Sequence, residues 1–210
     1  RLCWLGTEQD EPPGSPARFE GPPRALLVGR IEAPEGRKGH YEMVDVWPKV
    51  VAAVPDARLV LVGAGTGLER LRRHAAASPA AASIDVLGHV PEEDLPALFA
   101  SAHVYSMPSR QEGFGIAYIE AMRFGLPIIA SLDDAGCEIN VEGETGFNVA
   151  AADRARLADR LVELLRSPDR CAVLGAAAAE RWRMHFRYSC FAQRFLAIWN
   201  EFSSIGGRNV

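Results

Sequence analysis

Short apolar runs alternate with stretches long enough for a helix, and this alternation constrains the fold more than any other feature of the chain. The runs are residues 25–29, 58–62, 84–87, 103–107 and 128–130. Each has the length expected of a buried strand. Because helical segments fit between successive runs, the pattern predicts a parallel sheet with right-handed crossovers and helices on both faces. The predicted fold class is therefore α/β, with a Rossmann-like parallel sheet.

The local composition divides the chain into three parts. Residues 1–23 contain Pro-Pro-Gly-Ser-Pro and Gly-Pro-Pro, which disfavour regular structure, so we expect a linker or tail. Residues 24–187 carry the predicted sheet, and 210 residues suffice for a sizeable core. Residues 188–210 begin with an amphipathic helix. That helix either docks on this domain or packs on a second, N-terminal domain that this chain lacks.

The overall composition excludes several classes of protein. With 48% hydrophobic and 24% charged residues, the chain matches a folded globular protein. Its net charge of −4 lacks the basic excess of a nucleic-acid-binding protein, so no nucleic acid is expected as a partner. No apolar run approaches the roughly 20 residues that span a bilayer, and no signal-peptide pattern is visible. We therefore expect a cytoplasmic protein without a transmembrane segment.

No motif indicates a metal site or a resident cofactor. The four cysteines are scattered without a Cys-x-x-Cys pair, and the five histidines lack ligand spacing. The sequence has no Asp-x-Asp motif, no Gly-Lys-Ser/Thr phosphate loop and no Gly-x-Ser-x-Gly nucleophile turn. These absences argue against a zinc protein, a P-loop enzyme and a serine hydrolase.

Glycine and polar residues follow four of the predicted strands. The four segments are Gly29-Arg30, Gly63-Ala-Gly65, Gly88-His89-Val90 and Pro108 to Gly115. The carboxyl ends of parallel strands meet at one edge of a sheet, where ligands of such folds bind, so we expect one shared pocket. Residues 63–67 match a dinucleotide-binding motif only weakly, because its third glycine position is Leu68. A closely packed turn is the simpler interpretation.

The loop of residues 108–115 carries the richest chemistry. Gly113 and Gly115 allow close backbone approach, and the helix that follows presents free N–H groups that suit an anion such as a diphosphate. Glu112 in the loop and Glu120 on the helix are placed to contact separate hydroxyl groups of one extended ligand. The alternative is an exposed loop glutamate and a helix glutamate that pairs with an arginine.

Several motifs recur in an order known from one protein family. They are Gly29-Arg30 with Lys38-Gly39, Leu61-Val-Gly-Ala-Gly65, Leu87-Gly-His-Val-Pro91, Pro108-Ser109, Glu112-Gly-Phe-Gly-Ile-Ala-Tyr-Ile-Glu-Ala-Met122, Gly125-Leu-Pro and Thr145-Gly-Phe147. The set resembles the donor-binding, C-terminal half of the retaining GT-B glycosyltransferases, the "group one" family of sucrose and glycogen synthases and many mannosyltransferases. The resemblance covers residues 25–188. It implies one half of a two-domain fold and a nucleoside-diphosphate sugar as substrate.

The resemblance also implies residue roles. Arg30 and Lys38 would neutralise the departing diphosphate, Glu112 would bind sugar hydroxyls beside the anomeric carbon, and Glu120 would hold the ribose. Fixed cations and a helix start would stabilise the leaving group without a metal. The predicted catalytic residues are thus Glu112, Arg30 and Lys38. The predicted donor-binding set is Gly29, Arg30, Lys38, His89, Val90, Ser109, Glu112, Gly113, Phe114, Gly115, Ile116 and Glu120.

Within that set, backbone N–H groups of residues 114–116 would contact sugar and phosphate, while His89 and Val90 would touch the base. For Arg30 and Lys38, solvated surface charge is the alternative interpretation.

Three departures from the family pattern leave alternatives open. The spacing from Arg30 to Lys38 is longer than the family shows, so Arg37 is a second candidate for the role of the lysine. The family's glycine-rich turn appears here as residues 133–138, which leaves its contacts undefined. The acceptor-binding N-terminal half is missing, so we expect a domain that is inactive alone and whose full protein is cytoplasmic or peripheral at a membrane. The rival functions are a non-catalytic nucleotide- or partner-binding module and another GT-B enzyme such as an epimerase.

Overall fold

The computed structural model describes residues 2–13, 21–33 and 36–206, and it is built on one six-stranded sheet. The strands are β1 (Arg24–Val28), β2 (Arg58–Val62), β3 (Ile84–Gly88), β4 (Val104–Ser106), β5 (Ile128–Ser131) and β6 (Gly146–Val149). Every neighbouring pair is parallel, and the strand order is β3-β2-β1-β4-β5-β6. This order is that of a doubly wound dinucleotide-binding sheet. The predicted α/β fold with a Rossmann-like parallel sheet is confirmed.

Helices connect the strands and cover the sheet. They are α1 (His40–Ala53), α2 (Leu68–Ala76), α3 (Leu95–Ser101), α4 (Ile116–Arg123), α5 (Gly136–Ile139), α6 (Arg154–Arg166), α7 (Pro168–His185) and α8 (Tyr188–Gly206). Capping side chains fix the starts of two long helices, α6 and α7. The Asp153 carboxylate accepts the N–H of Arg156 at 2.9 Å before α6, and the Ser167 hydroxyl accepts the N–H of Arg170 at 3.3 Å before α7.

The sequence patterns did not predict β6 or α5. The strand has only four residues and contains Asn148, so it lacks the apolar run of a buried strand. The Asn148 side chain is nevertheless buried, because Asn140 donates its amide N–H to the Asn148 oxygen at 2.9 Å. A paired amide thus replaces an apolar side chain at the edge of the sheet.

Helix α7 meets the turn before β5 through very close backbone contact. A Cβ added to Gly175 of α7 would lie 2.0 Å from the carbonyl oxygen of Gly125, in the turn between α4 and β5. Glycine therefore lets α7 press against this turn. Trp182 of the same helix is fully buried and forms part of the continuous hydrophobic core.

Part of the segment predicted as a linker or tail lies against α7 and α8. The N–H of Thr7 donates to the carbonyl oxygen of Phe186 at 2.8 Å, and the Trp182 indole donates to the Thr7 hydroxyl at 3.0 Å. The Asp10 carboxylate accepts the N–H of Ser189 at 2.9 Å. These contacts hold residues 2–13 to the domain, while residues 14–20 lie outside the described part of the chain.

Helix α8 contacts the N-terminal segment near its start, and its aromatic side chains further along are exposed to solvent. Arg194 donates to the carbonyl oxygen of Trp4 at 2.9 Å, which ties the first turns to the N-terminal segment. The side chains of Phe195, Trp199 and Phe202 are exposed by 48%, 57% and 72%. Docking on its own domain therefore accounts only for the first turns of this helix.

Candidate functional site

A cavity of about 640 Å³ lies at the carboxyl edge of the sheet. The loops after β1 and β4 and the start of α4 form its walls. The predicted site residues that line it are Gly29, Arg30, Lys38, Glu112, Phe114, Gly115 and Ile116. We call it the donor cavity, after the ligand that the family resemblance predicts. A larger cavity of about 710 Å³ lies at the amino ends of β1 and β2, away from the edge where parallel sheets bind ligands.

Lys38 and Glu112 form an ion pair across the donor cavity. Their side chains are exposed by 29% and 13%, so the pair is partly shielded from solvent. An ammonium group has three N–H donors, and Glu112 takes one of them. The others remain available to a ligand. Arg30 also lines the cavity, with a side chain that is 76% exposed and pairs with Glu32 at 3.2 Å.

His40 is buried directly behind this ion pair. Burial, with a smaller contribution from the charge of Lys38, lowers the pKa of His40 to about 4. The imidazole is therefore neutral at physiological pH. A neutral ring behind Lys38 fills space without adding a second positive charge beside the ammonium.

The loops after β1 and β2 touch through glycine. A Cβ added to Gly63 would lie 1.8 Å from the carbonyl oxygen of Gly29, and one added to Gly65 would lie 2.0 Å from that of Ile31. Both glycines have positive φ angles, near 150°. This confirms the interpretation of residues 63–67 as a closely packed turn, and it fixes the backbone that leads to Arg30.

The loops after β1 and β4 are also joined by backbone. The N–H of Arg110 donates to the carbonyl oxygen of Arg37 at 2.6 Å. Gly39 has a φ of 87°, and a Cβ there would lie 2.6 Å from the carbonyl oxygen of Pro108. Lys38 and Glu112 are thus placed by two loops that share contacts.

Helix α4 begins at the donor cavity. Gly115 precedes it with a φ of 93°, and a Cβ at Gly115 would lie 2.3 Å from the Tyr118 ring. Only glycine fits both constraints. The first N–H groups of a helix have no partner inside the helix, so the start of α4 offers donors and partial positive charge to an anion.

Asp134, after β5, holds the Glu112 loop in place. One carboxylate oxygen accepts the Ser109 hydroxyl at 2.8 Å and the N–H of Glu112 at 3.0 Å. The other accepts the N–H of Gly136 at 3.0 Å. Sequence reasoning noted that this turn departs from the family pattern but did not single out Asp134. Its signal was an acidic residue where the family has glycine.

Glu120 does not line the donor cavity but an adjacent one of about 320 Å³, which Glu8 and Glu92 also line. Leu5 and Ile116 line both cavities, so the two spaces are neighbours. Burial, with smaller contributions from the charges of Glu92 and Glu8, raises the pKa of Glu120 to about 6.

The remaining predicted donor-binding residues lie elsewhere. Ser109 is fully buried, with its hydroxyl on Asp134 and near the Tyr118 hydroxyl at 3.2 Å. Gly113 is exposed in the loop, and His89 and Val90 follow β3 without lining either cavity. Their predicted ligand contacts stay predictions.

Residues 2–13, 21–33 and 36–206 contain no group of His, Cys, Asp and Glu side chains arranged to hold a metal ion. The same residues include no helix that is both long and apolar enough to cross a membrane.

Comparison with known families identifies this arrangement. The family model for glycosyl transferases group 1 matches residues 8–181. The chain belongs to the group 1 glycosyltransferase family. The order of the strands and the cavity at their carboxyl ends are those of the Rossmann-like half of its GT-B fold.

Curated members of the family are similar to this glycosyltransferase domain over most of its length. A GDP-mannose-dependent monoacylated alpha-(1-6)-phosphatidylinositol monomannoside mannosyltransferase from Corynebacterium glutamicum is 33% identical over 77% of this chain and 44% of its own. A phosphatidyl-myo-inositol mannosyltransferase from Mycobacterium leprae is 35% identical over 87% of this chain and 48% of its own. The chain thus spans about half the length of the curated relatives that it matches.

Solved structures show the same fold. Sucrose-phosphate synthase from Thermosynechococcus elongatus matches with a TM-score of 0.80 and 26% identity, over 98% of this chain and 53% of that chain. The C-terminal domain of a group 1 glycosyl transferase from Francisella tularensis matches with a TM-score of 0.72 and 20% identity, over 87% of this chain and 99% of that chain.

Replacing Asp134 with alanine is expected to loosen the Glu112 loop. The N–H of Glu112 and the Ser109 hydroxyl both lose a charged acceptor, which should lower the free energy of unfolding by about 1–3 kcal/mol. Hydrogen exchange should show faster exchange at the Glu112 amide. Glu138→Gln, an exposed neighbour in α5, is the control. Unchanged exchange at Glu112 in Asp134→Ala would contradict this role.

Replacing Glu120 with glutamine is expected to stabilise the domain at alkaline pH. The folded pKa is about 6 against an ordinary value of 4.5, so the folded state binds more protons between these values and loses stability as pH rises through them. The penalty is complete above pH 6, and removing it should add about 1–2 kcal/mol at pH 8 and little at pH 4.5.

Urea unfolding of the wild type and Glu120→Gln at the two pH values measures this difference. Glu93→Gln, on the exposed turn beside Glu92, is the control variant. A gain at pH 4.5 as large as that at pH 8 would contradict the raised pKa.

Proposed function

We propose that this domain is the donor-binding half of a retaining glycosyltransferase. The full protein transfers a hexosyl unit from a nucleoside-diphosphate sugar to an acceptor held by an N-terminal half. The observation that carries the proposal is the Lys38–Glu112 pair at the start of α4, within one cavity. This combination offers cations to a diphosphate and a carboxylate to sugar hydroxyls side by side.

The phosphates of the donor fit the cationic side of the cavity. Departure of a nucleoside diphosphate builds negative charge on its oxygens, and preorganised donors stabilise that charge. Lys38 supplies an ammonium, the start of α4 supplies N–H groups, and Arg30 supplies a guanidinium on an exposed side chain. These groups supply positive charge from the protein itself, which supports a reaction that requires no metal.

The two glutamates fit the two ends of the donor. Glu112 in the donor cavity binds hydroxyls of the sugar beside the anomeric carbon, while Glu120 in the adjacent cavity binds hydroxyls of the ribose. Leu5 and Ile116 line both cavities, so the two spaces are neighbours, and in this proposal one extended ligand occupies both. The pKa of about 6 leaves Glu120 ionised, and able to accept hydrogen bonds, above that pH.

The donor and acceptor are proposed from the relatives. The Corynebacterium glutamicum relative is named for GDP-mannose, so guanosine diphosphate and GDP-mannose are the first ligands to test. Both mannosyltransferases are named for phosphatidylinositol-derived acceptors. An acceptor of that kind goes with a cytoplasmic protein that contacts the membrane peripherally through its N-terminal half.

Thermal unfolding with guanosine, uridine and adenosine diphosphates, without magnesium, tests the donor site. A ligand at 100 times its Kd stabilises by about 2.7 kcal/mol. For a domain of this size, that corresponds to a rise in Tm of roughly 5–10 °C. We expect one nucleotide to give this rise. At the same concentration, Lys38→Ala should reduce the rise by about half, which is the effect of a tenfold loss of affinity.

Lys49→Ala is a matched control, because Lys38 and Lys49 are the only lysines of the chain. Lys49 lies on α1 and pairs with Asp159 at 2.6 Å, away from the donor cavity. A rise that Lys49→Ala reduces as much as Lys38→Ala, or no rise with any nucleotide, would contradict the proposed donor site.

Substitution of Glu112 in the protein with both halves separates catalysis from mere binding. Glu112→Gln removes the charge beside the anomeric carbon, and we expect transfer to fall by about 10²–10³ in kcat. Measurement uses transfer of radiolabelled mannose from GDP-mannose, with Glu138→Gln as the control. Full activity in Glu112→Gln would contradict the proposed role of Glu112, whereas absence of transfer by the unsubstituted protein would favour a non-catalytic binding module.

A further inference from the structure

A second polar cavity of about 510 Å³ lies beside the donor cavity. Side chains from α1, the end of α2, the start of α6 and the loop after β4 line it. We call it the flanking cavity. Arg37, Arg110 and Gln111 line both cavities, so the two share a wall. The other residues that line the flanking cavity have no role in the proposed binding of the donor.

Arginine dominates the charge of the flanking cavity. Arg110 pairs with Glu42 at 3.2 Å, and Arg154 pairs with Asp45, which also contacts His74 at 2.6 Å. Arg37 has no ion pair with any residue that the structure describes. Three guanidinium groups face two carboxylates, so the arginines outnumber the acidic side chains that line the cavity. Guanidinium groups match the geometry of a phosphate better than any other side chain.

The same cavity holds buried acceptors that lack a partner. Glu42 is only 7% exposed, and its Oε2 atom has no hydrogen-bond partner among the described residues. The Tyr41 hydroxyl is in the same situation. Buried polar atoms are paired in most proteins, so both groups are suited to a ligand that donates hydrogen bonds. A carboxylate in this position repels a bare phosphate but suits the hydroxyls of a polyol.

The shared wall carries an unusual backbone conformation. Gln111 has a φ of 69° and is the only non-glycine residue with positive φ in the described segments. Such conformations are costly for residues other than glycine and cluster at ligand sites. Here the conformation places Gln111 where both cavities meet.

We propose that the flanking cavity binds a phosphate ester of a polyol. The phosphate contacts Arg154, Arg110 and Arg37, and hydroxyls of the polyol face Glu42 and Tyr41. The volume is within the range of small-molecule sites. In the complete protein, this ligand is the part of the acceptor that lies beside the donor, while the N-terminal half holds the remainder. That role rests on the proposed function, whereas the binding itself does not.

NMR titration of the chain with glycerol 3-phosphate tests the binding. We expect saturable shifts at Tyr41, His74 and Arg154, and at least tenfold weaker binding of inorganic phosphate and of glycerol. Arg154→Gln should weaken binding of glycerol 3-phosphate by about tenfold, since it removes one charge-assisted contact. Arg156→Gln is the matched control, because Arg156 lies on the same helix and pairs with Glu142 at 3.3 Å outside the cavity.

Three results would overturn the proposal. They are equal affinity for inorganic phosphate and glycerol 3-phosphate, shifts confined to Lys38 and Gly115, and no saturable shift at all. Failure of the donor site is a separate result, seen as absence of nucleotide binding while glycerol 3-phosphate still binds.

Vesicles distinguish the two sources of such an ester. Phosphatidylcholine vesicles with and without phosphatidylglycerol are sedimented with the protein. Binding that requires phosphatidylglycerol and is lost in Arg154→Gln assigns the ester to a lipid headgroup. Binding of glycerol 3-phosphate without vesicle binding assigns it to a soluble acceptor. Both outcomes support the proposed site.

Discussion

The adjacency of β1 and β4 in the middle of the sheet determines where this domain can bind a ligand. The chain leaves β1 toward β2 on one side and reaches β5 from β4 on the other, so the connections diverge and open a crevice between them. The loop after β1 brings Lys38 to one wall of that crevice, and the loop after β4 brings Glu112 to the other. Their ion pair, the start of α4, the donor cavity and the flanking cavity all depend on the position of β1 beside β4.

Close backbone contact gives the crevice its shape. Gly63 lets the β2 loop touch the carbonyl of Gly29, Gly39 lets the β1 loop touch Pro108, and Asp134 holds the backbone at Glu112. Loops that these contacts already hold in place lose little conformational entropy when a ligand binds. The neutral His40 ring adds no positive charge that would repel the Lys38 ammonium.

The sequence predicted those features of the molecule that a local pattern of residues indicates. The apolar runs of β1 and β2 and the ordered glycine and glutamate motifs were sufficient to predict the fold class and the residues that meet at Lys38 and Glu112. Asn148 concealed β6, because its burial depends on Asn140, a partner eight positions away. Glu120 lies in a separate cavity, next to Leu5 and Ile116, which line both spaces. No sequence motif indicated that Leu5 and Ile116 come together. The flanking cavity combines α1, α2 and α6, so only the folded chain brings Glu42, His74 and Arg154 together.

Some of the charged groups at the carboxyl edge of the sheet are exposed to water, and this exposure weakens their effect on a ligand. Water reaches Arg30, whose side chain is 76% exposed, and it weakens the attraction between that charge and a leaving phosphate. A second half that closes over the crevice would exclude this water and strengthen each contact with the departing diphosphate. The chain spans about half of its curated relatives, and the aromatic side chains of α8 are bare beyond its first turns. Under the proposed function, closure by an N-terminal half would therefore turn a binding domain into a transferase, because the chemistry needs the crevice dry and the acceptor inside it.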